Sequence, residues 1–515
     1  MTGLPLPGPE PTPGPAVLIA GAGPTGLLAA CELLRRGVPV RLVDQAPEPA
    51  PAPRALSLWP RALAILDDLG IGDDVRAASV RIDGYRYFTG GRPLATFAFP
   101  AWCAARNLPQ YETERLLTRR LHELGGAVER GARLVDFTAE GDGGVTVALR
   151  HADGRRERAR APYLLGADGA GSTVRKRLGT GFAGSTYPMA FAALDTRIGG
   201  DGLPPGEILY YQAPAGTLVI VPMPGGVFRI LTALPEGAPA PGIAGMQGLL
   251  DARGPRGVRI TEPVHHAVFR VHARRAAVLR RGRVFLLGDA AHVHSPAGGQ
   301  GMNNGLQDAH NLAWKLAAVL HGDSPASLLA SYEPERTEAT RRIVRDTDVQ
   351  TRAWMVDGRL RVAARDTAFR LLDRTGAVTR FYAPVMAGHR LAYRPQRRTQ
   401  GPAWPVLCGG GGVRAGELFP RGPAGGAGGT GWLLLLTVRP GTGEAWADEA
   451  TAMAERRRGV HPVRAVLPTA APACRRPGYY LIRPDGHVAA HGHAHDLPRL
   501  RGELTHATAR AARPH

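Results

Sequence analysis

Three short stretches of this chain combine glycine, acidic and small polar residues at spacings that suit a phosphorylated ligand. The first is "GAGPTG", where Gly21, Gly23 and Gly26 form G-x-G-x-x-G, with Asp44 18 residues beyond Gly26. Glycines at this spacing allow a tight turn and bring a pyrophosphate close to a helix N-terminus. A carboxylate at that distance accepts hydrogen bonds from ribose hydroxyls, so a dinucleotide is the expected ligand. The second stretch is "ADGAGSTVR", with Asp168 followed by Gly169. The third is "GDAAHVHSPAGGQGMNNG", where Asp289 precedes Pro296, Gly299, Gly301, Met302 and Asn303. Its glycines at 298, 299 and 301 keep this backbone bare, as close approach by a ligand would require. His292 and His294 are expected to make loop hydrogen bonds, and no metal is expected.

These residues need elements to hold them. Ala16 to Ala20 is an apolar run of the kind expected for a strand buried on both faces. A helix follows, with Leu27, Leu28, Ala30, Cys31 and Leu34 on one broad face, and Gly37 ends it. Val38 to Val43 gives a second strand that closes on Asp44, which completes a βαβ unit. Apolar residues also lead into Asp168 and Asp289. The spacing of Leu306, Ala309, Leu312, Ala313, Leu316 and Leu320 predicts an amphipathic helix over 303–320. "EILYYQ", "TLVIVPMP" and "GVFRILTAL" are separated by turn signals and predict an antiparallel sheet. Residues 332–380 read as charged and helical. Further on, "WLLLLTV", "VRAVLP" and "GYYLIRPDGHVAAHG" read as strands, the last a hairpin turning at Asp485 and Gly486.

In this order, GxGxxG, ADGxxSxVR and GDAAHxxxPxGGQGMN resemble the class A flavoprotein monooxygenases, the family of para-hydroxybenzoate hydroxylase. The likeness is strongest to the bacterial aromatic polyketide hydroxylases and spans almost the whole chain. It implies an α/β fold: a Rossmann-like FAD-binding domain, an inserted antiparallel-sheet substrate domain and a C-terminal thioredoxin-like domain. The expected partition is a disordered lead over 1–15, an FAD-binding domain over 16–80, 101–178 and 283–345, and a middle domain over 81–100 and 179–282. A helical linker over 346–395 and a tail over 396–505 complete it. The resemblance implies non-covalent FAD, with Gly21, Gly23 and Gly26 at the pyrophosphate and Asp44 at the adenosine ribose. It also places Arg54 near the phosphates, Gln110 near the cofactor and Asp289 on the ribityl chain, and links Asp168 to both FAD and nicotinamide. The loop from Pro296 to Gly301 would lie against the ring, and the N–H groups of Met302 and Asn303 would face its N1 and C2 carbonyl. Tyr210, Tyr211, Met223 and Phe228 are expected to line the substrate cavity. Three positions depart from the family pattern: Gln45, Ser295 and Asn304 stand where a basic residue, a proline and a threonine are common.

The implied reaction is single-component oxygenation of a polycyclic aromatic or phenolic substrate by O₂ through a flavin C4a-hydroperoxide. NAD(P)H, with NADPH favoured, would be a transient co-substrate bound in a groove. Baeyer–Villiger oxygenation of a ketone and a non-catalytic flavin-binding role remain as alternatives, and no catalytic base is assigned. Composition limits the other classes. The net charge of +20 comes from arginine in a chain with only two lysines, Lys176 and Lys315, and its basic runs lack interleaved aromatics. Nucleic acid is therefore not an expected partner. No apolar run is long enough for a membrane span. The four cysteines are scattered without a CxxC, so the tail is not expected to exchange dithiols. The expectation is a cytoplasmic monomer or homodimer acting on a small aromatic substrate.

Overall fold

The computed structural model describes residues 14–49, 55–200, 203–213, 216–234, 237–354, 356, 358–393, 413–420, 430–439, 445–467 and 477–508, the side chains at 142, 188 and 189 apart. The chain opens with β1 (Val17–Ala20), α1 (Pro24–Leu34) and β2 (Val40–Val43). A hairpin of β3 (Gly84–Thr89) and β4 (Arg92–Ala98) follows, then α2 (Gln110–Glu123) and β5 (Tyr163–Gly166). The middle stretch holds β6 (Phe182–Gly199), β7 (Glu207–Gln212), β8 (Leu218–Pro222), β9 (Val227–Leu234) and β10 (Arg259–Ala276). Next come β11 (Val284–Leu286), α3 (Gly301–Leu320), α4 (Tyr332–Trp354) and α5 (Arg359–Thr375). The C-terminal unit contains β12 (Trp432–Val438), α6 (Ala445–Glu455), β13 (Val460–Val466), β14 (Gly478–Ile482), β15 (Val488–His493) and α7 (Leu497–Ala507).

The first sheet has the order Arg280–Arg281, β11, β5, β1, β2, Val128–Glu129, and all pairs but the first are parallel. Every residue of β1 and β5 is buried, as parallel strands covered on both faces require. This order explains the spacing of the motifs. Asp289 follows β11, Asp168 follows β5, the Gly21–Gly26 turn follows β1, and Asp44 follows β2. Four adjacent strands thus deliver all the motifs to one carboxyl edge, where open α/β sheets bind ligands.

The second sheet has the order His292–Val293, β10, β6, β9, β8, β7, β3, β4. Only β7 and β3 pair in parallel. Alternation along the strands gives it two faces. One packs Tyr85, Tyr87, Tyr210 and Leu231 against Trp59, Ala297, Trp354 and Met386. The other packs Leu209, Tyr211 and Ile230 against Met246 and Leu250 of the helix Ile243–Arg253.

The helix predicted over 303–320 forms as α3 but is not amphipathic in place. It is buried on every side from Met302 to Ala317. α1 covers one side, and Trp314 meets Trp432 of the C-terminal unit edge-on at 5.6 Å on another. The stretch expected to be helical over 332–380 divides into α4 and α5. In the C-terminal sheet, ordered β13, β12, β14, β15, β13 runs parallel to β12 and β14 antiparallel to it.

Candidate functional site

The turn after β1 is closed by its own backbone. A Cβ at Gly26 would fall on the Gly21 carbonyl oxygen, whereas one at Gly23 would meet nothing within 4 Å. The open side at Gly23 lies at the start of α1, which has no side-chain cap and no acid in its first turn. Asp44 clasps this turn: its carboxylate accepts from the Ala22 N–H at 2.6 Å and the Ala46 N–H at 2.8 Å. Thr25 joins the first motif to the third. A Cβ at Gly288 would meet the Thr25 hydroxyl at 2.6 Å, and Gly305 packs on the same hydroxyl.

Asp168 caps the short helix Thr173–Arg177. It accepts from the Thr173 N–H at 2.7 Å, the Val174 N–H at 3.1 Å and the Ser172 hydroxyl at 2.5 Å. Arg175 then binds the second motif to the third. Its guanidinium donates to the Ala290 carbonyl at 2.9 Å and lies 3.8 Å over the Phe182 ring. Sequence reasoning quoted this arginine but gave it no role. Asp289 is exposed at the sheet edge. Gln110 accepts from the Ala55 N–H at 3.2 Å and donates to Glu114 at 2.9 Å. Arg54 lies outside the described residues, as do Cys408 and Cys474.

The loop before α3 is held from below. The Asn303 side chain, fully buried, accepts from the Trp59 N–H at 2.8 Å and donates to the carbonyls of Ser57 at 2.8 Å and Gly299 at 2.7 Å. Trp59 Nε1 donates to the Gly298 carbonyl at 2.8 Å, and the Gly299 N–H donates to the Pro296 carbonyl at 3.0 Å. Gly299 has φ +62°, and a Cβ there would sit 2.9 Å from Ser57 Cβ, so both its conformation and its closeness to Ser57 require glycine. The departure at Ser295 has a use, since its hydroxyl accepts from Thr351 of α4 at 2.7 Å. α3 opens at Gly301 with no side-chain cap and no acid in its first turn. The positive end of a 20-residue helix, carrying Gly301, Met302 and Asn303, therefore faces no carboxylate of its own.

Of the two histidines, His294 makes the expected loop hydrogen bond, whereas His292 reaches into α3. His292 Nε2 lies 2.7 Å from Asp308, which also accepts from the Gly288 N–H at 2.9 Å and from Arg336 at 2.6 Å. His294 Nδ1 donates to the Ser295 carbonyl at 3.0 Å. Burial pushes the His294 imidazole down to about 4, so it is neutral near pH 7. Its Nε2 is buried and takes no hydrogen bond among the described residues.

The sheet above this loop presents aromatic rings. Tyr87 and Tyr210 stack at 4.6 Å, Tyr85 meets Phe99 at 4.8 Å, and Tyr210 meets Trp354 at 5.5 Å. Met223 belongs to the same face. The four expected lining residues divide: Tyr210 and Met223 face the loop, whereas Tyr211 and Phe228 pack on the opposite face with the helix Ile243–Arg253. The reason is strand parity, since Tyr210 and Tyr211 are neighbours and point apart. Tyr85, Tyr87, Trp59 and Trp354 were missed, although the alternating aromatics of "GYRYF" carry a signal. Burial pushes the phenols of Tyr85, Tyr87 and Tyr210 upward, so they stay protonated and serve as donors rather than bases. A small cavity lined by Phe191, Thr217, Val219, Leu231 and Trp354 lies under this face. Among the described residues, no three His, Cys, Asp or Glu side chains could share a metal ion, and no helix is long and apolar enough to cross a membrane.

The site fits FAD: an open cradle at Gly23 and the uncapped start of α1 stand at the carboxyl edge of the first sheet, and the second sheet turns its aromatic face to the loop that leads into the uncapped start of α3. Comparison with known proteins decides the family. Residues 15–347 match the model of an FAD binding domain. The chain belongs to this FAD-binding family. Over 547 aligned residues it is 34% identical to 6-methylpretetramide 4-monooxygenase of Streptomyces rimosus, covering 96% of this chain and 94% of that one. It is 32% identical to the aromatic compound monooxygenase YhjG of Bacillus subtilis, covering 92% and 93%. Among solved structures, the flavin-dependent monooxygenase PieE, in complex with FAD and substrate, superposes with a TM-score of 0.78 at 26% identity, covering 96% of this chain and all of that one. The anhydrotetracycline hydroxylase OxyS of Streptomyces rimosus does so at 0.76 and 29%, covering 95% and 98%. With relatives of this kind, the family member described here is an FAD-dependent monooxygenase.

Proposed function

We propose that this enzyme uses NAD(P)H, with NADPH favoured, and O₂ to hydroxylate a polycyclic aromatic substrate of the polyketide type. One observation carries the reading: the aromatic face of Tyr85, Tyr87, Tyr210 and Trp354 lies over the loop that joins the FAD motifs to α3. Stacked rings at this face suit a flat, extended aromatic body. The relatives named for 6-methylpretetramide and anhydrotetracycline support the same class.

In this reading Gly21, Gly23 and Gly26 would hold the pyrophosphate of FAD at the start of α1, Asp44 the adenosine ribose and Asp289 the ribityl chain. Bound FAD would supply the hydride acceptance and oxygen activation. The chain supplies the setting. The first turn of α3 offers Met302 and Asn303 N–H groups to negative charge on the ring. Asn303 and Trp59 fix the loop against it. The tyrosines, protonated throughout, offer hydrogen bonds and exclude water without taking a proton. The C-terminal sheet order, with α6 between β12 and β13 and α7 after β15, supports a thioredoxin-like tail whose role is structural.

The test is NADPH and NADH oxidation by the purified yellow protein, with and without a polycyclic phenol, followed by product mass. Substrate-stimulated oxidation with a gain of one oxygen atom is expected. Retention of FAD without any such stimulation across polycyclic phenols would refute the substrate class.

A further inference from the structure

We propose that the C-terminal unit is a positioning element for the flavin site, acting through two buried polar clusters that Tyr393 bridges: Arg483, Asp485 and Glu335 on one side, and Arg336, Asp308 and the Gly288–Asp289 turn on the other. This rests on the FAD reading above.

The first cluster begins in the hairpin between β14 and β15. Arg483 forms a two-point pair with Glu335, at 2.7 and 2.9 Å, and a second pair with Asp485. Glu335 also accepts from Lys315 and Asn311 of α3, each at 2.8 Å. Trp314 of α3 donates to Asp485 at 3.1 Å. The next residue of α4, Arg336, turns to the flavin side. It donates to Asp308 at 2.6 Å, and Asp308 holds the Gly288 N–H and His292. Tyr393 closes the gap between the two halves. Its hydroxyl accepts from Arg336 at 3.0 Å, while its ring lies 4.3 Å from the His487 ring.

A second arm leaves the same hairpin. Arg61 donates to the Asp485 carbonyl at 2.6 Å. Two residues before it, Trp59 holds Asn303 and Gly298. Both arms therefore end on segments that would touch the cofactor, one on the Gly288–Asp289 turn and one on the loop before α3.

Three cations (Lys315, Arg336, Arg483) meet three carboxylates (Asp308, Glu335, Asp485) in the two clusters. All six are buried or nearly so, and each side depends on the other for its neutralisation. Against a burial penalty that would raise it, Arg483 and Lys315 hold the Glu335 carboxyl down at about 2. Tyr393, with its hydroxyl on Arg336 and its ring against His487 and Arg483, is where the two clusters meet. Hydrophobic contact alone would have docked the C-terminal unit without routing charge to the turn after β11.

The experiment uses the full chain and four substitutions. Tyr393→Phe removes the hydroxyl that accepts from Arg336 and keeps the ring against His487, so it cuts the bridge on its flavin side alone. Arg483→Met breaks the first cluster at its source, and Glu335→Gln added to it lowers the uncompensated charge. Leu504→Ala, in the buried core of the C-terminal unit, is the control for simple destabilisation. FAD dissociation constants, the midpoint potential of bound FAD and the melting of the apoprotein are measured. Tyr393→Phe should weaken FAD about tenfold and shift the potential. Leu504→Ala should lower the melting temperature and leave FAD affinity and potential unchanged. Arg483→Met should weaken FAD further, with partial recovery in the double variant; if it does not fold, Tyr393→Phe decides. Unchanged FAD affinity in Tyr393→Phe, or an equal loss in Leu504→Ala, would overturn the proposal alone. A wild-type protein that takes up no FAD would overturn the FAD reading together with it.

Discussion

Asn303→Ala tests whether the loop before α3 is held by a side chain or only by packing. The carboxamide makes three hydrogen bonds, to the Trp59 N–H, the Ser57 carbonyl and the Gly299 carbonyl, all between 2.7 and 2.8 Å and fully buried. At about 1 kcal/mol net for each bond, with an added penalty for a buried Trp59 N–H left unpaired, the loss comes to about 3–4 kcal/mol. Asn303→Asp separates hydrogen bonding from volume. It keeps the acceptor for Trp59 but turns an oxygen toward two carbonyls, so it should destabilise at least as much despite its matching shape. Urea unfolding gives the stability. Peroxide released against oxygenated product gives the effect on the loop. Both variants should load FAD through the remote Gly21, Gly23, Gly26 and Asp44 contacts, yet release more peroxide per NAD(P)H consumed. An Asn303→Asp protein with wild-type stability and coupling would refute the hydrogen-bond argument, because packing alone would then suffice.

Four shorter predictions accompany this one. Asp289→Ala should weaken FAD by about 1.5–3 kcal/mol, the value of a hydrogen bond to a charged group; unchanged affinity by fluorescence titration would remove it from the ribityl chain. Gly299→Val adds strain at φ +62° and a contact 2.9 Å from Ser57 Cβ, so it should raise peroxide per turnover with FAD still bound; wild-type coupling would count against the loop as platform. Burial sets His294 at about 4 when folded, against about 6.5 when unfolded, so only the unfolded chain takes up this proton between those values. Stability from this group is complete above pH 6.5 and is lost as pH falls toward 4. His310 and His487, also pushed down by burial, act in the same sense, so the readout is the difference between proteins. His294→Gln should flatten the loss measured from pH 7 to pH 5, and identical slopes would show that His294 is not the group. Serine at both Cys408 and Cys474 should leave substrate-stimulated NAD(P)H oxidation within about twofold, as a tail without dithiol chemistry requires; a collapse in a folded protein would overturn that.

The strands and turns that carry the glycine and acid motifs were legible because their signals are local. A turn that must admit a phosphate spells itself in glycines, and Asp44 follows at a distance fixed by one helix and one strand. Asp168 and Asp289 announced themselves by the apolar strands that lead into them. The supports were not legible. The Asn303 amide meets Trp59 across 244 residues, and Arg175 meets Ala290 across 115, separations at which sequence spacing carries no information. α3 read as one-faced because its polar residues looked solvated. Asn304, Asp308, Asn311 and Lys315 are in fact internal partners: His292 and Thr340 and Arg336 of α4 meet the first two, Glu335 of α4 meets the last two, and Asp485 of the C-terminal unit reaches Asn311.

The substrate face shows where one further observation would have been enough. Tyr210 and Tyr211 were both expected to line the cavity, although neighbours on a strand point apart, and alternation alone does not say which of them faces the loop before α3. Register removes that freedom. β7 and β3 pair in parallel with Tyr210 opposite Tyr87 and Tyr211 opposite Phe88. Each pair must then share a face, and each does: Tyr87 stacks on Tyr210 at 4.6 Å and Phe88 on Tyr211 at 4.5 Å. β7 and β8 extend the rule, since Tyr210 lies opposite Val219 and Leu209 opposite Ile220. A single anchored residue, Trp354 against Tyr210, sets the parity of β3, β7 and β8 together. Met223 lies one residue past β8 and two beyond Val221, so it shares the face of Val219 and Val221. That places Tyr85, Tyr87, Val219 and Met223 over the loop, and removes Phe88 and Tyr211 from it.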